Sequence, residues 1–183
     1  MDKISLRAEI RRRKATYSFK ERAHLSRKVI DRLWQDPHWQ QAQTVLLYHS
    51  LPDEVGTHDL IRRAAAAGKR VLLPVVDGDD LELREYQDEG SLEEGAFHIQ
   101  EPTGPAVTDL SAIDLAVIPG VAFTPDGRRL GRGRGYYDRL LARLTRQPAL
   151  ARVPYLIGVC WPFQLVEDIP TEAHDISMNR VIT

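Results

Sequence analysis

Short runs of uninterrupted apolar residues alternate along the chain with amphipathic segments. Thr44-Val-Leu-Leu-Tyr48, Arg70-Val-Leu-Leu-Pro-Val-Val76, Leu115-Ala-Val-Ile118 and Tyr155 to Val159 are short and rich in strand formers. Each predicts a strand buried on both faces. Leu81 to Tyr86 alternates apolar and polar residues and predicts a half-exposed strand, and Arg180 to Thr183 predicts a last short one. Between them, Leu6 and Ile10 stand four apart among basic residues, which predicts a helix over 4–15 with one apolar stripe. Ser18-Phe19-Lys20-Glu21 matches a capping box and opens a helix to about Trp34, with Leu25, Val29, Ile30 and Leu33 on one face. Thr57 is expected to cap a helix running through Ala67, ended by Gly68 in a left-handed conformation. A further helix is expected from Tyr136 to Leu144. Asp77-Gly-Asp-Asp80 reads as a turn, and residues 87–111, where Gly, Pro and acids predominate, read as irregular.

Buried strands separated by helices predict a three-layer α/β/α, Rossmann-like single domain over 1–183, with a mostly parallel central sheet. In such sheets ligands sit beyond the carboxyl ends of the strands. Composition changes this picture little: 43% of the 183 residues are hydrophobic and 28% charged, the ordinary globular range. Net charge is −1, which gives no general attraction to nucleic acid or to a membrane surface. Cys160 is the only cysteine, so no disulfide can form within the chain. With a charged start and no apolar run near the roughly 20 residues that span a bilayer, a cytoplasmic location is expected.

The distribution of charge is more telling than its sum. Lys3, Arg7, Arg11, Arg12, Arg13 and Lys14 form one basic cluster, and residues 128–139 carry five arginines. The second cluster lies in Gly127-Arg-Arg-Leu-Gly-Arg-Gly-Arg-Gly-Tyr-Tyr-Asp-Arg139. Glycine permits positive φ and close approach of backbone to a ligand, while arginine offers a fixed fork of donors to phosphate or carboxylate. The run reads as an anion-binding loop for a polyphosphate, with Arg129, Arg132 and Arg134 adding charge-assisted bonds. It contains no Walker Gly-Lys-Ser/Thr, and it lacks the dinucleotide fingerprint. What remains is a nest of amides leading into the positive end of the 136–144 helix.

Tyr136 and Tyr137 begin that helix with side chains about 100° apart. Either one packs inward while the other faces the ligand, or both are core or edge aromatics. Asp138 is a dipole partner in the first turn or, beside bound phosphates, a Mg²⁺ ligand. Lys3, Arg7, Arg11 and Lys14 share one helical face, as a solvated stripe or as a second clamp on the polyphosphate. Glu54, in the segment after the first strand, is placed to accept hydrogen bonds from a polar heterocycle or to act as a base. His49, His58 and His174 show no zinc-like spacing.

With these pieces in view, the chain resembles the 5-formyltetrahydrofolate cyclo-ligase family over nearly its whole length. The resemblance rests on Lys3-x3-Arg7, Glu54-x2-Thr57, Glu101-Pro102, Pro119-Gly-Val-Ala-Phe123, and Arg129-Leu-Gly-Arg-Gly-Arg-Gly-Tyr-Tyr-Asp138. Gln164 and His174-Asp175 complete the order. The resemblance implies ATP-dependent conversion of 5-formyltetrahydrofolate to 5,10-methenyltetrahydrofolate, through a phosphorylated formyl intermediate. By the same resemblance Lys3 and Arg7 are ATP-phosphate contacts, and Arg129, Leu130, Gly131, Arg132, Gly133, Arg134, Gly135, Tyr136 and Tyr137 form the nucleotide loop. Glu54, Arg134, Gly135 and Tyr136 face the folate, Arg134 and Tyr136 serve catalysis, and Asp138 and Asp175 attend Mg²⁺. A monomer acting on small molecules alone is expected. Two departures stand out: Asn179 occupies a position where the family often has aspartate, and Thr183 ends the chain just short of a frequent acid. Two other readings are a nucleotide-sugar or sugar-phosphate enzyme on a similar scaffold, and a nonenzymatic module binding RNA through the Gly/Arg loop.

Overall fold

The apolar runs split their side chains between two cores. Val45, Leu47, Val71, Leu73, Leu115, Val117, Ile157 and Val159 face one cluster, while Leu46, Leu72, Ala116, Ile118 and Leu156 face the other. A strand's period of two produces this division, and helices on both faces complete it. In the computed structural model, which describes residues 1–147 and 151–183, the chain opens with α1 (Lys3–Ala15), α2 (Phe19–Gln35) and α3 (Pro37–Gln41). Then come β1 (Thr44–Leu46), α4 (His58–Ala66), β2 (Arg70–Asp77), β3 (Asp80–Glu85), β4 (Leu92–Glu94) and β5 (Gln100–Pro102). The remaining elements are β6 (Leu115–Ile118), β7 (Ala122–Phe123), β8 (Arg129–Leu130), α5 (Tyr136–Arg146), β9 (Tyr155–Val159) and β10 (Arg180–Ile182).

The central sheet has the order β10-β9-β6-β1-β2-β3, parallel throughout except for the β2–β3 hairpin. The expected α/β/α architecture is therefore present. Residues of α2, α3 and α4 pack in one core, and Leu140, Leu141 and Leu144 of α5 pack in the other. The first helix does something else. Leu6 and Ile10 of α1 join Ala122, Leu130 and Ile169 in a third, smaller cluster, so α1 lies on the β7–β8 ribbon.

Several expectations are corrected. Thr57 does not cap α4 with its side chain: its hydroxyl donates to the Tyr48 carbonyl and accepts from Ser50 N, which locks the segment after β1. Residues 87–111 hold an antiparallel β4–β5 pair and short 3₁₀ turns. α3 was not foreseen, although Pro37 at its start and the Asp36 carboxylate accepting from His38 N and Trp39 N explain it. α5 extends to Arg146, and the sheet-forming part of the first strand stops at Leu46. Asn179 has a structural task, its side-chain carbonyl accepting from Leu156 N at 2.7 Å while its own N–H donates to Leu156 O.

The β7–β8 ribbon is keyed to the sheet by Phe123, which is fully buried. A Cβ on Gly158 of β9 would stand 2.4 Å from its ring, and one on Gly120 would stand 2.7 Å from it. Both glycines are there because the ring fills their side-chain space. Gly158→Ala should overpack this contact and cost about 1–3 kcal/mol, seen as a lowered Tm in thermal unfolding. An unchanged Tm would contradict the seating of the ring.

Candidate active site

The sheet order reverses between β1 and β6, because the chain proceeds from β1 outward to β2 and β3, and from β6 outward to β9 and β10. The segments leaving these two strands diverge and leave a crevice at their carboxyl ends. Residues 47–57 leave β1 and carry Glu54; residues 119–135 leave β6 and carry the Gly/Arg loop. A cavity of about 290 Å³ opens there, at the lower end of the range for small-ligand clefts. Glu54, Arg129, Arg132, Arg134, Tyr136, Tyr137 and Asp138 all line it, as do Gly131, Gly133 and Gly135.

The loop is held at its base and along its length. Gln164, buried, donates from Nε2 to the carbonyls of Gly120 and Val121, each at 3.1 Å. Arg7 reaches across from α1 and donates from Nε to Gly131 O at 2.8 Å. Gly133 and Gly135 then adopt φ of +99° and +75°, a region that side chains disfavour, and the second turn delivers the chain into α5. Tyr136 donates its hydroxyl to Gly78 O at 3.2 Å, and Arg139 bonds Asp79 O, so the start of α5 is tied to the β2–β3 turn.

Arg129 is the most enclosed charge of the site. Its side chain is only 6% exposed, with NH2 3.4 Å from Asp138 Oδ1 and its guanidinium 5.7 Å from the Tyr137 ring centre. Burial pulls its pKa down, and the charges of Asp138 and Asp175 oppose that. Burial pushes the Tyr137 hydroxyl well up, so it stays a neutral donor. Both tyrosines line the cavity and both also pack against the second core, Tyr137 the more enclosed and Tyr136 with its hydroxyl on Gly78 O.

Opposite the loop, Glu54 accepts from Leu51 N at 2.9 Å with Oε2 and from Arg132 NH2 at 3.0 Å with Oε1. Burial raises its pKa, and the Leu51 amide and the Arg132 guanidinium only partly offset this. His49, in the same segment after β1, stacks on His58 with ring centres 3.8 Å apart. Burial and the neighbouring imidazole push His49 down to about 4, so it stands neutral in the wall.

Phe97, Ile99 and Glu101 close a further side of the cavity and were missed as wall residues, apart from the motif that holds Glu101. Phe97 and His98 take φ of 57° and 58°, unusual for side-chain-bearing residues, and Arg134 lies 4.5 Å over the Phe97 ring. An aromatic residue isolated in an acidic, irregular stretch was the available signal.

Lys3 is drawn away from the loop to a different partner. Its ammonium lies 3.2 Å from Glu172 and 3.3 Å from Asp175. Burial raises the Asp175 carboxyl, but the Glu172 amide and Lys3 hold it below the usual carboxylate value. Lys14 pairs with Asp53, whereas Arg11 is exposed. Among the described residues, no group of three or more His, Cys, Asp or Glu is arranged to hold a metal ion. Mg²⁺ shared with a polyphosphate takes only one or two protein carboxylates, and half-exposed Asp138 in the cavity wall fits that demand.

Arginines, carboxylates and aromatics converging on one crevice define the small-molecule site of an α/β enzyme. The chain belongs to the 5-formyltetrahydrofolate cyclo-ligase family, whose model matches residues 1–183, and it is a ligase. It is 31% identical to the 5-formyltetrahydrofolate cyclo-ligase of Escherichia coli (strain K12) over 179 residues, 95% of this chain and 96% of that protein. Its fold matches the 5,10-methenyltetrahydrofolate synthetase of Aquifex aeolicus with a TM-score of 0.84 at 34% identity, covering 100% of this chain and 89% of that one. The Mycoplasma pneumoniae 5,10-methenyltetrahydrofolate synthetase matches with a TM-score of 0.75 at 26% identity, over 100% and 98%. Membership replaces the nucleotide-sugar and RNA-module readings. No helix among the described residues is long and apolar enough to cross a membrane.

Gly133→Val forces a β-branched side chain into positive φ, with its Cβ 3.4 Å from the Arg7 guanidinium carbon. Arg134→Ala removes a guanidinium from the cavity wall. Each is expected to lower kcat/KM by about 10²-fold or more while far-ultraviolet circular dichroism stays native. An unchanged rate in both would show that the loop is not the reacting site.

Proposed function

We propose that the chain converts 5-formyltetrahydrofolate to 5,10-methenyltetrahydrofolate with ATP and Mg²⁺, releasing ADP and phosphate. The observation that carries the reading is the single cavity in which the Gly/Arg loop faces Glu54, with Arg132 bonded to that carboxylate. In the reaction the formyl oxygen attacks the γ-phosphorus, and the bond from phosphorus to ADP breaks. N10 of the folate then adds to the activated carbon, its proton leaves, and the carbon–oxygen bond breaks to release phosphate.

This chemistry asks for positioning and charge neutralisation more than for a protein nucleophile. Arg129, Arg132 and Arg134, with the amides of Gly131, Gly133 and Gly135, hold the phosphates; Tyr136 and Tyr137 wall the reacting groups. Arg7 secures the loop through the Gly131 carbonyl and lies beside Gly133, within reach of a phosphate tail. Lys3 pairs with Asp175, whose charge in turn acts on Arg129. Asp138 would hold Mg²⁺, which supplies neutralisation of the β- and γ-oxygens when bound. Glu54 accepts from the N–H groups of the pterin, and its low-polarity surroundings make those bonds stronger than they would be in water.

Methenyltetrahydrofolate absorbs in the near ultraviolet, so product growth with purified folded protein, ATP and Mg²⁺ tests the reading directly. No growth in absorbance would overturn it. Glu54→Gln should raise the KM for folate about tenfold, the worth of a hydrogen bond to a charged acceptor, and leave ATP binding intact. Loss of ATP affinity would place Glu54 at the other ligand.

A further inference from the structure

Asp53 precedes Glu54 in the segment after β1 and is not among the residues that wall the cavity. Two cations from distant parts of the chain nevertheless converge on it. Lys14, in the last turn of α1, places Nζ 3.2 Å from Oδ2 and 3.0 Å from the Asp53 carbonyl oxygen. Arg132 places NH1 3.2 Å from Oδ2 and NH2 2.6 Å from Oδ1. The same Arg132 NH2 lies 3.0 Å from Glu54 Oε1. One guanidinium is thus divided between adjacent carboxylates, meeting Asp53 with both nitrogens and Glu54 with one.

A guanidinium is best satisfied fork to fork by a carboxylate. Glu54 is the more enclosed of the two acids, with a side chain 13% exposed against 43% for Asp53. Charges attract more strongly where water is scarcer, so an unrestrained Arg132 would turn both nitrogens onto Glu54. Asp53 stays ionised to prevent this: burial pushes its carboxyl up, but Arg132 and Lys14 outweigh it and hold it below the usual value.

We propose that Asp53 is a positioning residue that holds Arg132 bidentately, limits it to a single bond with Glu54, and so keeps that carboxylate open to the folate. Lys14 anchors the arrangement from α1. The inference rests on the reading of Glu54 as the folate contact.

The test is steady-state kinetics by product absorbance, with each substrate varied in turn, for wild type, Asp53→Asn, Glu54→Gln and the double variant. Asp53→Asn is expected to raise the KM for 5-formyltetrahydrofolate about three- to fivefold, the upper end for a half-exposed ion pair. Any change in the ATP KM, transmitted through Arg132, should be smaller than the change in the folate KM. In the Glu54→Gln background, where no carboxylate draws Arg132 away, adding Asp53→Asn should change the folate KM by less than about twofold. A folate KM unaffected by Asp53→Asn, or raised equally in both backgrounds, overturns the proposal. Thermal unfolding accompanies each variant, and Asp53→Ser replaces Asp53→Asn if the latter does not fold. Wild type without turnover overturns the cyclo-ligase reading and this inference with it; a turning-over wild type matched by Asp53→Asn overturns the positioning role alone.

Discussion

The burial of the Arg129 guanidinium is the constraint around which the site is built. A cation this enclosed loses much of its hydration, and the loss must be offset by nearby negative charge, by aromatic faces or by a ligand. Asp138 and the Tyr137 ring supply part of that on the first turn of α5, and Asp175 adds to it from the C-terminal segment. Space for the side chain is equally demanding. A Cβ on Gly131 would stand 2.8 Å from one of its terminal nitrogens, and one on Gly120 would stand 3.2 Å from its Cγ. Gly131 of the loop is therefore accounted for by a neighbour's volume, Gly120 ahead of the loop by Phe123 and Arg129 together, and Gly133 and Gly135 by backbone conformation.

Around this charge the fold assembles parts that lie far apart in the chain. The reversal of strand order between β1 and β6 opens the crevice, and the β7–β8 ribbon carries the loop across it. α1 leaves the main layers to lie on that ribbon, which turns its basic face into three separate anchors: Lys3 to Asp175, Arg7 to Gly131, and Lys14 to Asp53. Those contacts link loop, helix and C-terminal segment into one charged network, so the Gly/Arg loop and the Glu54 side of the cavity are mechanically connected through Arg132.

Much of this was legible beforehand. The apolar runs marked the strands because residues buried on both faces cannot alternate with polar ones, and the Ser18–Glu21 capping box marked the start of α2 in full detail. The Gly/Arg run marked a candidate site because few other demands call for that composition, and the loop does line the crevice. Less legible were features whose cause is a distant partner. Thr57 has the residue type of a helix cap, yet its hydroxyl is taken by Tyr48 and Ser50. The β4–β5 pair and the Phe97 wall lie in a stretch whose local composition favours turns, and only their neighbours give them shape. Lys3 and Arg7 shared a helical face on paper, but which acid or carbonyl each would meet depended on where α1 docks.

The sequence by itself determined the α/β layering, the positions of the central-sheet strands, the Gly/Arg run as the segment that lines the crevice and, by resemblance, the family. These are local or periodic properties: side-chain period, turn chemistry and an ordered motif survive without knowledge of what packs against them. The tertiary structure alone decided that Arg129 is buried against Asp138, that Phe97 faces Arg134, and that one guanidinium is shared by Asp53 and Glu54. Those facts depend on distance and on exclusion of water between residues as many as 79 positions apart, and neither quantity exists until the layers have closed.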